Sequence, residues 1–156
     1  MNIWKIPPKA KVYEALSAVA DGRVALKENN TAVVTSSNGE KTYKVEWTPD
    51  FGAMSSNDNA SVWQGYSGYP ILAVLLAGGK IPYDPDAISL LAGIDWHSLN
   101  NEYKRDYDKA VTFVLAEIDK RGGDSKSIVI LADRIFADVS AMQIEKKRAV
   151  AKRTAK

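Results

Sequence analysis

The hydrophobic pattern changes its period twice along this chain, and the order of these changes limits the folds that it can adopt. Apolar residues recur at helical spacing over residues 9–20, with Val12 and Val19 on one face. Residues 31–36 are rich in β-branched side chains instead, and residues 41–47 alternate between apolar and polar as half-buried strands do. Helical spacing returns after Pro70 and continues toward the C-terminus. Because strands and helices do not alternate, the pattern excludes a Rossmann-like nucleotide fold and predicts an α+β fold.

A small antiparallel sheet is predicted to follow the N-terminal helix. The pair Asn38-Gly39 favours a tight hairpin, because both residues tolerate a positive φ. In the strand after this turn, Tyr43, Val45 and Trp47 lie on one face, and Thr42, Lys44 and Glu46 lie on the other. Strands are expected at residues 23–26, 31–36, 41–47 and 53–55.

About four helices are predicted after a polar and aromatic loop, packed on the sheet. The run 71–77 is apolar on every face, so the helix that Pro70 begins is expected at the centre of the core. Asp84 and Ser98 are expected to cap the next two helices. The predicted helical ranges are 70–77, 84–91, 98–121 and 125–148, and the last of them begins near Ser125 or Ser127.

The chain is long enough for one domain with a core of its own. Its 156 residues are assigned to a single domain at 1–148 and a basic, frayed tail at 149–156. The longest apolar run, 71–77, is much shorter than the roughly 20 residues that a membrane-spanning helix needs. We therefore expect a cytoplasmic protein without a membrane partner, as a monomer or a homodimer.

Basic residues are concentrated at the C-terminal end. The net charge is +2, and residues 143–156 contain six bases and one acid, so this segment carries +5 and the rest −3. A basic tail on an acidic body can contact nucleic acid, whereas a solvated helix end with cations that suit the helix dipole would carry the same charges. The candidate nucleic-acid contacts are Lys146, Lys147, Arg148, Lys152 and Arg153.

Motifs of familiar catalytic chemistry are absent from the sequence. Cysteine does not occur, and His97 is the single histidine and lies at a predicted helix start. A Ser–His–acid set would need that histidine together with a nucleophile motif, and the chain has none. The segment 65–68 lacks the lysine and the spacing of a phosphate-binding loop. We therefore expect no catalytic residue, no metal and no cofactor.

The loop at residues 55–69 is long, polar and aromatic, and such loops often carry function. One interpretation is a ligand pocket of the kind that recognises sugars or bases, with Asp58 as an acid or base. The other is a closed loop in which short polar side chains bond their own backbone. The candidate binding residues are Asn57, Asp58, Asn59, Trp63, Gln64, Tyr66 and Tyr69.

Residues 40–78 resemble a SWIM zinc-finger unit. That family has a strand with a Tyr-x-Val pattern, a C-x-C pair, a spacer and a C-x-H at the start of an apolar helix. Here Tyr43-Lys44-Val45 is followed by Ser55-Ser56-Asn57-Asp58, and later by Gly68-Tyr69-Pro70 before an apolar helix. Since serine, asparagine or aspartate, glycine and proline replace all the ligands, the resemblance implies a metal-free relative. SWIM domains are associated with binding DNA or proteins.

A metal-free relative needs another source of the folding energy that zinc supplies in small domains. Large rings can supply it by burial, since each aromatic side chain covers roughly 150–250 Å². The rings expected to do so are Trp47, Trp63, Tyr66 and Tyr69.

Taken together, these features favour a non-catalytic binding or adaptor domain that contacts nucleic acid or a protein partner. The alternative is a small hydrolase-like or ligand-binding enzyme that uses the loop around Asp58.

Overall fold

The computed structural model of the chain describes residues 2–147, which form an α+β fold with an N-terminal helix, as predicted. Six α-helices, a five-stranded sheet, one π-helical turn and one short 3-10 turn lie within these residues. The helices are α1 (Ala10–Ala20), α2 (Tyr69–Ala77), α3 (Pro85–Ile88), α4 (Trp96–Glu102), α5 (Tyr107–Lys120) and α6 (Ser125–Ala141). The strands are β1 (Val24–Lys27), β2 (Thr31–Thr35), β3 (Thr42–Trp47), β4 (Ala53–Ser56) and β5 (Glu145–Lys146).

The sheet has the strand order β1-β2-β3-β4-β5. The first four strands form an antiparallel meander, and β5 pairs with β4 in parallel. Alternate residues of β2 and β3 point into the core: Ala32, Val34 and Val45 are fully buried and Trp47 nearly so. The alternation predicted for β3 therefore agrees with the burial of Val45 and Trp47, while Tyr43 on the same face is half-buried.

Helix α2 occupies the centre of the core, as its uniformly apolar sequence predicted. Each residue from Ile71 to Leu76 is at most 1% exposed, because α1 covers one side of the helix and strands β1–β4 cover the other. Among residues 2–147, every helix is too short or too polar to cross a lipid bilayer.

The helix predicted from Ser98 to residue 121 is two helices, so the expectation of about four helices after the loop was too low by one. Lys104 and Arg105 take left-handed backbone conformations with φ of 53° and 66°, which ends α4 and turns the chain. Asp106 then caps α5 by accepting a hydrogen bond from the backbone N–H of Lys109. The apolar stripe continues through both helices, and for that reason the break was not visible in the pattern.

The last helix ends at Ala141 rather than near residue 148. The chain continues in extended conformation and adds β5 to the edge of β4. The N-terminal segment closes this edge: Ile3 forms an antiparallel bridge with Glu145, and the Trp4 N–H donates to the Ile144 carbonyl. Pairing with this edge satisfies backbone groups that an isolated helix end would leave to water. The predicted tail at 149–156 lies outside the described residues.

Helix α4 is capped by Asp95, whereas the sequence had predicted Ser98 as the cap. The Oδ1 atom of Asp95 accepts the Ser98 backbone N–H at 3.0 Å, and Oδ2 accepts the Ser98 hydroxyl at 2.8 Å. Accepting the backbone N–H lowers the pKa of Asp95 from its ordinary value of 3.8. This cap fixes the start of the helix that carries His97 and Asn100.

Replacing Asp95 by alanine is expected to lower the free energy of unfolding by about 1 kcal/mol at neutral pH. Because the pKa is lowered in the folded state, the contribution of Asp95 is present above pH 3.8 and is lost as the pH falls through the folded value. Urea unfolding at several pH values measures this. Ser98→Ala should lower the free energy of unfolding by less, because the hydrogen bond from the backbone N–H of residue 98 to Asp95 remains. A larger loss for Ser98→Ala than for Asp95→Ala would assign the cap to Ser98 instead.

Candidate functional site

A cleft of about 600 Å³ opens between α1, the β2–β3 turn, the π-helical turn and the α4–α5 region. This volume lies in the range of small-molecule sites in proteins. Six of the seven predicted binding residues line it: Asp58, Asn59, Trp63, Gln64, Tyr66 and Tyr69. Asn57 instead serves the sheet, because its Oδ1 accepts the backbone N–H of Lys44 at 2.9 Å.

A buried ion pair on α1 contributes to the wall of the cleft. The Nζ atom of Lys11 lies 3.2 and 3.4 Å from the carboxylate oxygens of Glu14 and 3.8 Å from the ring centre of Tyr107. Burial alone would lower the pKa of Lys11, but the charge of Glu14 and the nearby tyrosines raise it overall. The amine therefore stays protonated, and it is a fixed cation rather than a nucleophile.

Tyrosine rings form much of the remaining wall. Tyr43 and Tyr69 meet edge to face, with ring centres 6.2 Å apart and planes at 85°. Burial raises the pKa of Tyr43, Tyr66 and Tyr69, so their hydroxyls are protonated at neutral pH. A protonated phenol both donates and accepts hydrogen bonds, and its ring offers an apolar face.

Trp63 stands at the rim of the cleft and is 78% exposed. It lies on the π-helical turn Ala60–Gln64, which ends at Gly65 in a left-handed conformation with φ of 76°. Single π-helical turns are rare and are often found at functional sites. The exposure of Trp63 corrects the expectation that its ring helps to hold the loop, while Trp47 is buried as expected and stacks on Phe51.

Asp58 lies at the back of the cleft with only 5% of its surface exposed. Its carboxylate accepts hydrogen bonds from the hydroxyls of Ser56 and Ser61 and from the backbone N–H of Ser61. Ser61 Oγ in turn accepts the backbone N–H of Gly68. These bonds join the two ends of the loop and leave Asp58 as an organising group rather than an open acid or base.

Gly68 is required by the position of Asp58. A β-carbon placed on Gly68 would overlap Oδ2 of Asp58, so no larger residue fits without moving the carboxylate. Ser56, Asp58 and Gly68 occupy positions where the SWIM resemblance places zinc ligands. Among the described residues, no three His, Asp or Glu side chains gather into a metal-binding group. The SWIM resemblance itself stays a prediction.

The charges that line the cleft balance. The cations are Lys11, Lys41 and Arg105, and the carboxylates are Glu14, Glu40 and Asp58. His97 also lines the cleft and is exposed, with its Nε2 3.2 Å from Nδ2 of Asn101. With His97 neutral, the wall of the cleft therefore carries no net charge and offers hydrogen-bonding groups and aromatic rings.

Two of the basic residues that suggested a nucleic-acid contact are paired within the fold. Lys146 lies over the ring of Trp4 at 5.0 Å, and Lys147 lies 3.6 Å from a carboxylate oxygen of Glu46. These two lysines belong to β5 and the residue after it, not to a helix end. Arg148, Lys152 and Arg153 lie outside the described residues.

Sequence reasoning missed the cleft residues that come from α1, α4 and the turn between α4 and α5. Lys11 and Glu14 were indistinguishable from solvated charges on an amphipathic helix, and their burial depends on α4 and α5 folding over them. One signal was available in the sequence: aspartate is a typical helix-capping residue, so Asp106 indicates that a new helix begins at Tyr107.

The chain belongs to a protein family described as uncharacterised conserved protein UCP014422, whose model matches residues 4–145. No curated protein and no solved structure matches the chain.

Gly68→Ala is expected to destabilise the fold by about 1–3 kcal/mol, because the new methyl group overlaps the Asp58 carboxylate. In a chain that already carries Asp58→Ala, the same change should cost much less, giving a coupling of about 1 kcal/mol or more. Chemical unfolding of the two single variants and the double variant completes the cycle. Strictly additive costs would show that Gly68 is required for a reason other than Asp58.

Proposed function

We propose that this member of the UCP014422 family is a non-catalytic binding domain whose cleft holds a small, uncharged ring ligand of the sugar or nucleoside kind. The observation that carries the proposal is the exposed Trp63 ring at the rim of a charge-balanced cleft walled by protonated tyrosines. A single exposed apolar side chain needs no explanation by itself, but Trp63 lines a concave cleft rather than a flat surface. Here it offers a stacking face for a ring.

The balance of charge supports an uncharged ligand over a phosphate group. Phosphate binding relies on cations that can be offered to the ligand. Lys11 is paired with Glu14 inside the wall, and the charges of Lys41 and Arg105 are matched in number by Glu40 and Asp58 on the same cleft. The cleft therefore has no excess of cations to offer to phosphate, so a nucleic-acid partner is a weaker proposal than a small uncharged ligand.

The state of the ionisable groups supports binding rather than catalysis. A general acid or base must reach the substrate with a proton to exchange. The Asp58 carboxylate is occupied by three donors from its own loop, and Lys11 is held as a cation by Glu14. The hydrolase-like alternative would therefore need another group of the cleft. A cytoplasmic location and a monomeric or dimeric state stay predictions from the sequence.

Nuclear magnetic resonance of the indole N–H groups tests the proposal with glucose, N-acetylglucosamine, uridine and 3-methyluridine as probes. The indole N–H groups of Trp4 and Trp96 are hydrogen-bonded inside the fold, to the Met54 carbonyl and to Ser17 Oγ. We expect at least one probe at millimolar concentration to shift the Trp63 signal and leave those of Trp4 and Trp96 in place. Failure of every probe to shift Trp63 would contradict the proposal, and chemical conversion of a probe would favour the enzyme alternative.

Trp63→Ala is expected to weaken binding of the best probe by about tenfold, because it removes a stacking face worth roughly 1–3 kcal/mol. Isothermal titration measures the dissociation constant. Val62→Ala is the matched control: Val62 is 54% exposed on the same π-helical turn and does not line the cleft. Equal affinity of the two variants would rule out Trp63 as the stacking platform.

A further inference from the structure

Three tyrosine hydroxyls on the wall of the cleft have no hydrogen-bond partner within the described part of the protein. They belong to Tyr43, Tyr66 and Tyr107, which all line the cleft. The three side chains are half-buried, and their hydroxyls are not among the polar atoms that the fold seals off from water without a partner. Each of these hydroxyls is therefore accessible and free to bond to a ligand.

The same three tyrosines gather around the buried ion pair of α1. Burial raises the pKa of Tyr43 and Tyr66, and the charges of Lys11 and Glu14 act on the pKa of both. Tyr107 lies directly against Lys11, whose Nζ is 3.8 Å from the ring centre. Phenol groups from β3, from the loop before α2 and from the start of α5 thus converge on one region of the wall.

An array of phenol hydroxyls matches a ligand that carries several hydroxyl groups. A protonated phenol donates one hydrogen bond and accepts others, and a sugar hydroxyl has the same two roles. Neighbouring hydroxyls of a sugar ring can therefore bond to Tyr43, Tyr66 and Tyr107 as donors or as acceptors. No charge is needed on either side, which agrees with the balance of charge in the cleft.

Amide side chains, which match the fixed donors and acceptors of a nucleobase, are largely engaged within the protein. Asn38 Oδ1 accepts from Ser36 and from the Glu40 backbone, and Asn100 Nδ2 donates to Glu14. Asn101 Nδ2 lies 3.2 Å from Nε2 of His97. The other amides of the cleft, Asn59 and Gln64, lie exposed at the π-helical turn. The wall thus offers a base few fixed partners and offers a sugar three open hydroxyls.

We propose that the ligand of the cleft is a sugar, whose hydroxyl groups bond to Tyr43, Tyr66 and Tyr107 while one face of its ring stacks on Trp63. The proposal rests on the proposed function, which leaves the choice between a sugar and a nucleoside open. A pyranose ring suits both parts of the site, because its C–H groups form an apolar face and its hydroxyls project from its edge.

Isothermal titration compares the two classes of ligand. The sugars are glucose, galactose, mannose and N-acetylglucosamine; the nucleosides are uridine and 2′,3′-dideoxyuridine, which keeps the base and lacks the ribose hydroxyls. We expect at least one sugar to bind, and 2′,3′-dideoxyuridine to bind about tenfold more weakly than the best sugar. Binding of 2′,3′-dideoxyuridine that is as tight as that of the best sugar, or tighter, would show that the cleft selects a base and would overturn the proposal.

Tyr43→Phe, Tyr66→Phe and Tyr107→Phe each remove one hydroxyl and keep the ring. We expect each variant to bind the best sugar about fivefold more weakly, as is typical for the loss of one hydrogen bond between uncharged groups. Their stability to urea should stay that of the wild type, because these hydroxyls bond to nothing within residues 2–147. Tyr83→Phe is the control and should keep full affinity, since Tyr83 does not line the cleft. Unchanged affinity in all three variants would overturn the proposal.

Analogues of the best sugar that each lack one hydroxyl show whether a phenol contacts the sugar directly. For at least one of the three variants, we expect an analogue that binds the wild type about fivefold more weakly than the parent sugar but binds the variant as tightly as the parent does. Strictly additive losses in every combination would mean that the phenols act only through packing, which contradicts direct bonding.

The outcomes separate this proposal from the one on which it rests. A Trp63 signal that shifts with uridine and 2′,3′-dideoxyuridine, but with no sugar, would support a binding cleft and refute the sugar as its ligand. If neither a sugar nor a nucleoside shifts that signal, both proposals are wrong.

Discussion

Burial of α2 is the constraint on which the rest of the structure depends. A helix that is apolar on every face must be covered on every face, and no single layer can do this. The sheet β1–β4 covers one side and α1 the other, while α5 and α6 in turn pack against α1. The loop leads into α2 through Gly68, where a β-carbon would overlap the Asp58 carboxylate.

Asp58 and the two serines that donate to it, Ser56 and Ser61, connect the packing of α2 to the shape of the cleft. These hydrogen bonds close the loop at Gly68. The π-helical turn between these anchors then has its position fixed at both ends, and Trp63 projects from it into solvent. A ligand that stacks on an exposed ring restricts its rotation, and this loss of conformational entropy opposes binding. Because the backbone that carries Trp63 is already anchored, less conformational entropy remains to be lost.

The sequence was informative wherever local pattern and burial agree. The first helix, the alternating strands and α2 carry their burial in their spacing, and six of the seven candidate loop residues line one cleft. It failed where the outcome depends on distant parts of the chain. The left-handed pair Lys104-Arg105 interrupts an unbroken apolar stripe, and β5 forms because the edge of β4 and the N-terminal segment are there to receive it.

Lys11 and Glu14 show most plainly why the site could not be read from the sequence. An ion pair three residues apart on a helix is ordinarily a surface feature of small energetic value. Here α4 and α5 cover it, and transferring both charges from water to a buried wall carries a desolvation cost that an apolar pair of similar size would avoid. Stability alone therefore does not account for the pair. What it does provide is orientation: Lys11 holds the Glu14 carboxylate, and that carboxylate accepts a hydrogen bond from the Asn100 amide, which fixes Asn100 on the wall of the cleft.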